Sequence, residues 1–150
     1  MDKVAVCLWF EARGEEAAAH YVSLLPDSRI TNVLHRDGKV LFVEFTLAGR
    51  AFQALNGGPH YKLTPAASIS VSCASQAELD TLWEALLDGG AAMACGWLTD
   101  RFGVSWQIVP DNLQAMMNDP DPARAARAFA AMQSMIKFDF AALEAAWRGE

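Results

Sequence analysis

"CGWLTDRFGVSWQIVP", residues 95–110, decides how this chain is read. Val104, Trp106 and Ile108 alternate with Ser105, Gln107 and Val109, the period-two pattern of a strand with two unlike faces. Gln107 stands inside an otherwise apolar run, and an amide buried without a partner is costly. Trp106 belongs on a covered face, so Gln107 belongs on a polar one.

The same arrangement occurs earlier in the chain. "FQAL" closes the first half as "WQIV" closes the second, with Gln53 in the place of Gln107. This is an internal similarity at a period of roughly 55–60 residues, a duplicated supersecondary unit.

Working outward, each half shows the same order of elements. "VAVCLWF" (4–10) is a short strand-forming run. "GEEAAAHYVSLLP" follows, with Ala18, Tyr21, Val22 and Leu25 at helical spacing, Glu15 and Glu16 in the first turn, and Pro26 as the stop. "RITNVLHR" is a strand, Asp37-Gly38 a hairpin turn, and "KVLFVEFTL" a long strand. Ala48-Gly49 turns the chain into "RAFQAL". "NGGPHYKLTP" (56–65) is a turn-rich connection. "ASISVSC" (67–73) then alternates as a strand. "SQAELDTLWEALLDGG" opens on a capping box, Ser75 with Glu78, carries Leu79, Leu82, Trp83 and Leu86 as its stripe, and ends at Gly89-Gly90. "MACGWLTD", a turn near Arg101–Gly103 and "VSWQIVP" supply further strands. Each half reads β-α-β-β-β.

The tail differs. "DNLQAMMN" is a helical turn, Asp121-Pro122 caps a helix over "PARAARAFAAMQSMIK", and Asp139 caps "FAALEAAW". We expect a single domain over 1–150, with modules at 1–58 and 66–110 and a helical tail at 111–150. The class is α+β, two βαβββ modules with curled mixed sheets.

Parity distributes the polar residues. Ser68, Ser70 and Ser72 lie opposite Ile69, Val71 and Cys73, and the helix needs the apolar side. A two-residue turn at Ala48-Gly49 sets Leu47 against Arg50 and Glu44 against Gln53. Glu44, Gln53, the serines and Gln107 therefore lie away from the helices, and we expect them to line a polar cleft between two curled sheets.

Composition bounds the function. The chain has 150 residues, 53% hydrophobic and 20% charged, the profile of a soluble globular domain. A formal charge of −6 with scattered basic residues argues against nucleic acid. No run approaches ~20 apolar residues, so no membrane partner is expected. Cys7, Cys73 and Cys95 form no paired motif, and the start of the chain has no signal-peptide pattern. Both suit a cytoplasmic protein with inert core thiols.

A βαβββ unit used twice with a polar inner face resembles the glyoxalase/bleomycin-resistance/extradiol-dioxygenase superfamily, the vicinal oxygen chelate proteins. "LWFEARGEEAAAHYVSLLPDSRI", "ALNGGPHYK" and "CGWLTDRFGVSWQIVP" are similar to its PhnB-like family, which also carries the label 3-demethylubiquinone-9 3-methyltransferase. The resemblance covers nearly the whole chain. It implies ligand places at Val6, Gln53, Ser68 and Gln107. Valine cannot ligate, serine rarely does, and neutral glutamine is weak, so no metal and no cofactor are expected. No G-x-G loop is present for a methyl donor.

The candidate residues follow. Glu44 is the candidate general base. Gln53, Ser68, Ser70 and Gln107 are candidate ligand contacts, with His60 at the mouth and Trp97 stacking on a flat ligand. The expected function is binding, with transformation left open, of a small molecule in a polar cleft. The alternatives are ligand sequestration of the bleomycin-resistance kind and a metal-dependent lyase or dioxygenase. A homodimer is expected, because open strand edges and an apolar tail stripe (Ala125, Phe129, Met132, Ile136) need covering.

Overall fold

The computed structural model describes residues 2–150, which form two compact units dividing between Leu63 and Thr64. In the first unit, β1 (Val6–Phe10), α1 (Gly14–Leu24), β2 (Arg29–Arg36), β3 (Lys39–Leu47) and β4 (Arg50–Asn56) build a four-stranded sheet in the order β1-β4-β3-β2. β1 runs parallel to β4, and the other pairs are antiparallel. Both hairpins use left-handed turns, with positive φ at Asp37, Gly38, Ala48 and Gly49. That geometry matches the twist of the flanking strands. The second hairpin is held from outside, because Gly49 N–H donates to Asp27 O (2.9 Å) and Ala48 N–H to Ser28 Oγ (2.9 Å). It sets Glu44 opposite Gln53 and Leu47 opposite Arg50, as the two-residue turn requires.

One face of this sheet is covered by α1. Leu8, Phe10, Val43, Phe45, Leu47 and Ala54 are buried there with Ala17, Ala18 and Tyr21. The start of α1 has no side-chain cap of its own. Asn56 substitutes, accepting from Gly14 N–H (2.8 Å) and donating to Val40 O (3.0 Å). Leu25, which precedes Pro26, is extended, and the helix ends there.

The second unit repeats the plan with β5 (Ser68–Cys73), α2 (Gln76–Leu87), β6 (Ala91–Ala92), β7 (Trp97–Thr99) and β8 (Ser105–Pro110), in the order β5-β8-β7-β6. Ser75 Oγ accepts from Glu78 N–H (3.2 Å), and the Glu78 carboxylate accepts from Ala74 N–H (2.7 Å), one residue before the usual capping-box donor. The expected strand over 93–100 is broken. Cys95 and Gly96 both have positive φ, so only Trp97–Thr99 joins β8, and the two-residue β6 pairs back on it. Asp100 fixes the next turn. It is buried, accepts from Phe102 and Val104 N–H through Oδ1 (2.8 and 3.0 Å), and from Trp106 Nε1 through Oδ2 (2.9 Å).

The tail comprises α3 (Leu113–Met117), α4 (Pro122–Ser134) and α5 (Phe140–Arg148). Asp121 and Asp139 cap the last two as expected, accepting from Ala123 and Ala142 N–H (2.9 and 3.0 Å). Helix α4 stops at Ser134, short of the expected Lys137, because Met135 and Ile136 turn their carbonyls to Cys95 and Gly96 N–H (2.8 and 2.7 Å). Gln76 clasps the following segment, donating to Phe138 O (3.0 Å) and accepting from Phe140 N–H (2.8 Å). Lys137 pairs with Asp80. The tail thus folds over its own second module and buries Ala128, Phe138 and Leu143, while Phe129 and Ile136 stay 46% and 58% exposed.

Gly96 is where the tail presses closest, since a Cβ there would overlap the Phe138 ring, and its φ is +77°. Gly96→Ala combines a left-handed backbone with overpacking and should cost about 3 kcal/mol. Gly38→Ala meets only the backbone penalty, having nothing within 4 Å, and should cost about 1 kcal/mol. Urea unfolding midpoints at unchanged slope measure the difference; equal losses would show that Phe138 does not set the fit.

Candidate functional site

The face of the first sheet away from α1 is set by register. Residues paired across neighbouring strands share a face, and three rows result. The first runs Arg29–Thr46–Ala51, the second Asn32–Glu44–Gln53–Cys7, the third Leu34–Phe42–Leu55–Trp9. A cation and hydroxyl row, a carboxylate and amide row, and an apolar row follow one another along the strands. A cavity of about 390 Å³ opens on the first two, lined by Asp2, Arg29, Thr31, Glu44, Thr46 and Gln53 among others.

Glu44 and Gln53, the candidate base and contact, are therefore brought together. Among the described residues neither Glu44 nor Arg29 has an ion-pair or side-chain hydrogen-bond partner. Register places Cys7 beside Gln53, and Val6 on the α1 side with Phe52. The first-strand ligand place inferred at Val6 is thus shifted by one residue to Cys7. Cys7 is exposed, yet desolvation raises its thiol pKa. One carboxylate, a protonated thiol and a neutral amide make a poor transition-metal set. Among the described residues no group of three or more His, Cys, Asp or Glu is placed to hold a metal ion.

The second sheet has its own polar face. Its rows are Ser68–Ser105–Thr99 and Ser70–Gln107–Trp97. Gln107 is satisfied on this face: its Nε2 donates to Ser68 Oγ (2.9 Å), beside Ser70 and Trp97. Register puts Ser70, not Ser68, level with Gln107, as Cys7 is level with Gln53. The candidates Ser68, Ser70, Gln107 and Trp97 thus share one face, which carries neither a carboxylate nor a cation. His60 joins neither group and is exposed in the loop after β4.

Sequence reasoning placed Thr46 on this face beside Glu44 and Gln53 but passed over Arg29, Cys7 and Trp9. The hairpin pairing already named for Glu44 and Gln53 contained Thr46; Cys7 and Arg29 needed the β1 and β2 registers, which bulges and a crossover hide. Trp9 is pinned by its Nε1 donating to Gly58 O (2.9 Å) and by the edge of Tyr61 (centroids 4.9 Å apart). Gly57 must lack a side chain, because a Cβ would enter the Trp9 ring.

A larger hollow of about 730 Å³ lies elsewhere in the first unit, against the α1 start and the Asp37-Gly38 hairpin. Its wall is a mixture of exposed charges, with Arg13 and Glu16 paired to each other (2.8 Å) and Asn56 occupied in capping. The smaller cavity, with groups converging from adjacent strands, is the better candidate despite its size.

The topology, two βαβββ modules with four-stranded mixed sheets, defines a glyoxalase-like protein. A family model described as 3-demethylubiquinone-9 3-methyltransferase matches residues 2–109, and the chain belongs to that family, the PhnB-like one. A PhnB protein from Bacillus cereus, itself described as a 3-demethylubiquinone-9 3-methyltransferase, is 32% identical, with a TM-score of 0.68 over 73% of this chain and 98% of that one. PA1353 from Pseudomonas aeruginosa, at 23% identity and a TM-score of 0.60 over 73% of this chain and 97% of that one, shares the fold. No curated protein matches the chain. Among the described residues no helix is long and apolar enough to cross a membrane.

The thiols offer a direct check of the faces. Burial pushes Cys73 up to about 11, the nearby Glu78 and Asp111 charges adding to it. The thiolate is the reactive form. Native protein in iodoacetamide at pH 8 should be alkylated at Cys7, slowly, and at Cys73 only after unfolding, as peptide mass spectrometry reads. Early labelling of Cys73 would place β5 on the wrong face.

Proposed function

We propose that this protein binds a small molecule on the polar face of its first sheet, with Glu44 as the group able to take a proton from it and Gln53 beside it to hold an oxygen. The observation that carries this is the 390 Å³ cavity on which two unpaired carboxylates (Asp2 and Glu44), an unpaired guanidinium, an amide and two hydroxyls converge. Charges kept without partners within one fold are expected where a ligand supplies the partner. Ser68, Ser70, Gln107 and Trp97 form a second, uncharged contact surface, and His60 a solvent-exposed accessory at the loop. Methyl transfer is not part of the proposal, since neither sheet is doubly wound and the chain has no G-x-G loop. Three unpaired thiols suit a reducing cytoplasm.

A thermal-shift screen of sugars, nucleotides, amino acids and aromatic acids tests the reading. A ligand at 100 times its dissociation constant adds about 2.7 kcal/mol. The stabilisation should vanish in Glu44→Ala and Gln53→Ala while the unliganded midpoints stay near that of the parent. A shift that survives both variants, or no shift with any compound, overturns the assignment.

The assembly we propose is a homodimer. The 46% and 58% exposure of Phe129 and Ile136 on the tail supports it, as does the prevalence of twofold assemblies. Light scattering at micromolar concentration should give twice 16.3 kDa. Phe129→Glu should move the mass toward one chain. A parent protein already at one chain ends the idea.

A further inference from the structure

We propose that the ligand of the first sheet is a small organic acid of three parts: an apolar body, a central hydrogen-bond donor, and an anionic head. This rests on the reading of that face as a binding site and adds the chemistry of what is bound.

The rows give the order. Leu34, Phe42, Leu55 and Trp9 form an apolar strip with no polar atom presented, since the Trp9 N–H is spent on Gly58 O. Leu34 is 47% exposed, and Tyr61, standing edge-on to Trp9, is 69% exposed. Two residues along each strand, roughly 6–7 Å away, come Glu44 and Gln53. An ionised carboxylate accepts hydrogen bonds only, so it calls for a donor on the ligand. A further two residues along stands Arg29, level with Thr46. A guanidinium only donates, and it grips a carboxylate or phosphate through two parallel bonds.

Arg29 and Glu44 are diagonal neighbours on adjacent strands, close enough for long side chains to meet, yet they are not paired with each other. A molecule with a donor and an acid group in that sequence satisfies both at once. A purely polar ligand would leave the apolar strip wet, and a purely apolar one would cover the two charges without replacing their water. The Asp2 and Glu44 carboxylates both accept from donors on the ligand, so it is Arg29 with the apolar strip that selects a small amphipathic acid over a second copy of the chain as occupant of this face.

Phenyllactate (2-hydroxy-3-phenylpropanoate) carries the three parts in order and serves as the probe. Three relatives each lack one: lactate the body, 3-phenylpropane-1,2-diol the acid, 3-phenylpropanoate the donor. In calorimetry with the full chain, phenyllactate should bind about tenfold or more tighter than each, the value expected for one desolvated charged or apolar contact. Arg29→Gln should bring phenyllactate down to the level of the diol, and Phe42→Ala should bring it down to the level of lactate. Leu34→Ser, on a half-exposed side chain, repeats the second test without touching the core. The proposal is overturned if lactate matches phenyllactate, if Arg29→Gln leaves the preference for the acid over the diol intact, or if none of the four binds. It is also overturned if Leu34→Ser halves the mass in light scattering without changing phenyllactate binding, since the strip is then a subunit contact. If another class of compound binds in a Glu44-dependent way, the site stands and only its chemistry falls; if nothing binds, both fall.

Discussion

The strand register of the first sheet is the constraint on which the rest depends, and the turn at Ala48-Gly49 sets it. A slip of one residue would send Glu44, Thr46 and Gln53 under α1 and bring Val43, Phe45 and Ala54 to the open face. Two hydrogen bonds from the turn's backbone N–H groups, one to the Asp27 carbonyl and one to the Ser28 hydroxyl, hold it in place. Asp27 itself has positive φ, as does Ala48, a residue rarely found in that conformation. The strain is placed at the point where the face of every following residue is decided. The buried aromatic and aliphatic side chains then reinforce the choice, because only one register covers them.

The duplicated module divides its work. In each half a glutamine sits mid-strand on the last strand, next to a small polar residue on the first: Gln53 with Cys7, Gln107 with Ser70. Around this shared pair the halves diverge. The first sheet has long β2 and β3 strands that carry Arg29 and Glu44 to the open face. In the second sheet β6 and β7 are two and three residues long, and Trp97 and Thr99 stand in the corresponding region. Strands this short offer few positions from which a charged side chain could reach that face. The space on that sheet's flank goes instead to the tail, whose Met135 and Ile136 carbonyls meet Cys95 and Gly96 N–H. The first module therefore carries the charged residues of its open face and the second has the larger core.

What could be read from the chain alone follows from which signals are local. Alternation, Asp-Gly and Ala-Gly turns, and Asp or Ser caps act over a few residues, so the β2 and β3 boundaries, both hairpins, the α2 cap and the α4 and α5 caps were legible. The Glu44–Gln53 pair was legible for the same reason. The break at Cys95-Gly96 was not: a cysteine in the left-handed region is no sequence signal, and it is held there by carbonyls forty residues away. The role of Asn56 as the cap of α1 was hidden in the same way, as it comes from the end of β4. Cys7 was missed because parallel pairing between β1 and β4 has no turn to fix its register, and the family pattern suggested the neighbouring Val6. Arg29 was missed because the bulge between Ile30 and Asn32 resets the parity that simple counting along β2 relies on.

That bulge also explains why the open face can hold opposite charges apart. An extra residue on β2 lets Arg29 lie level with Thr46 and Asn32 level with Glu44, though they are three residues apart on β2 and two on β3. Without it, alternation would turn either Arg29 or Asn32 toward α1. Bulges of this kind are a means of re-aiming a side chain next to a site. Here the re-aimed group is the guanidinium, and its neighbour across the strand is a hydroxyl in place of the carboxylate that would neutralise it. Stability would favour moving the acid two residues along to meet it, although an exposed pair is worth only about 0–1 kcal/mol. The separation costs the fold little and leaves two complementary groups available, which is the condition a binding face must meet.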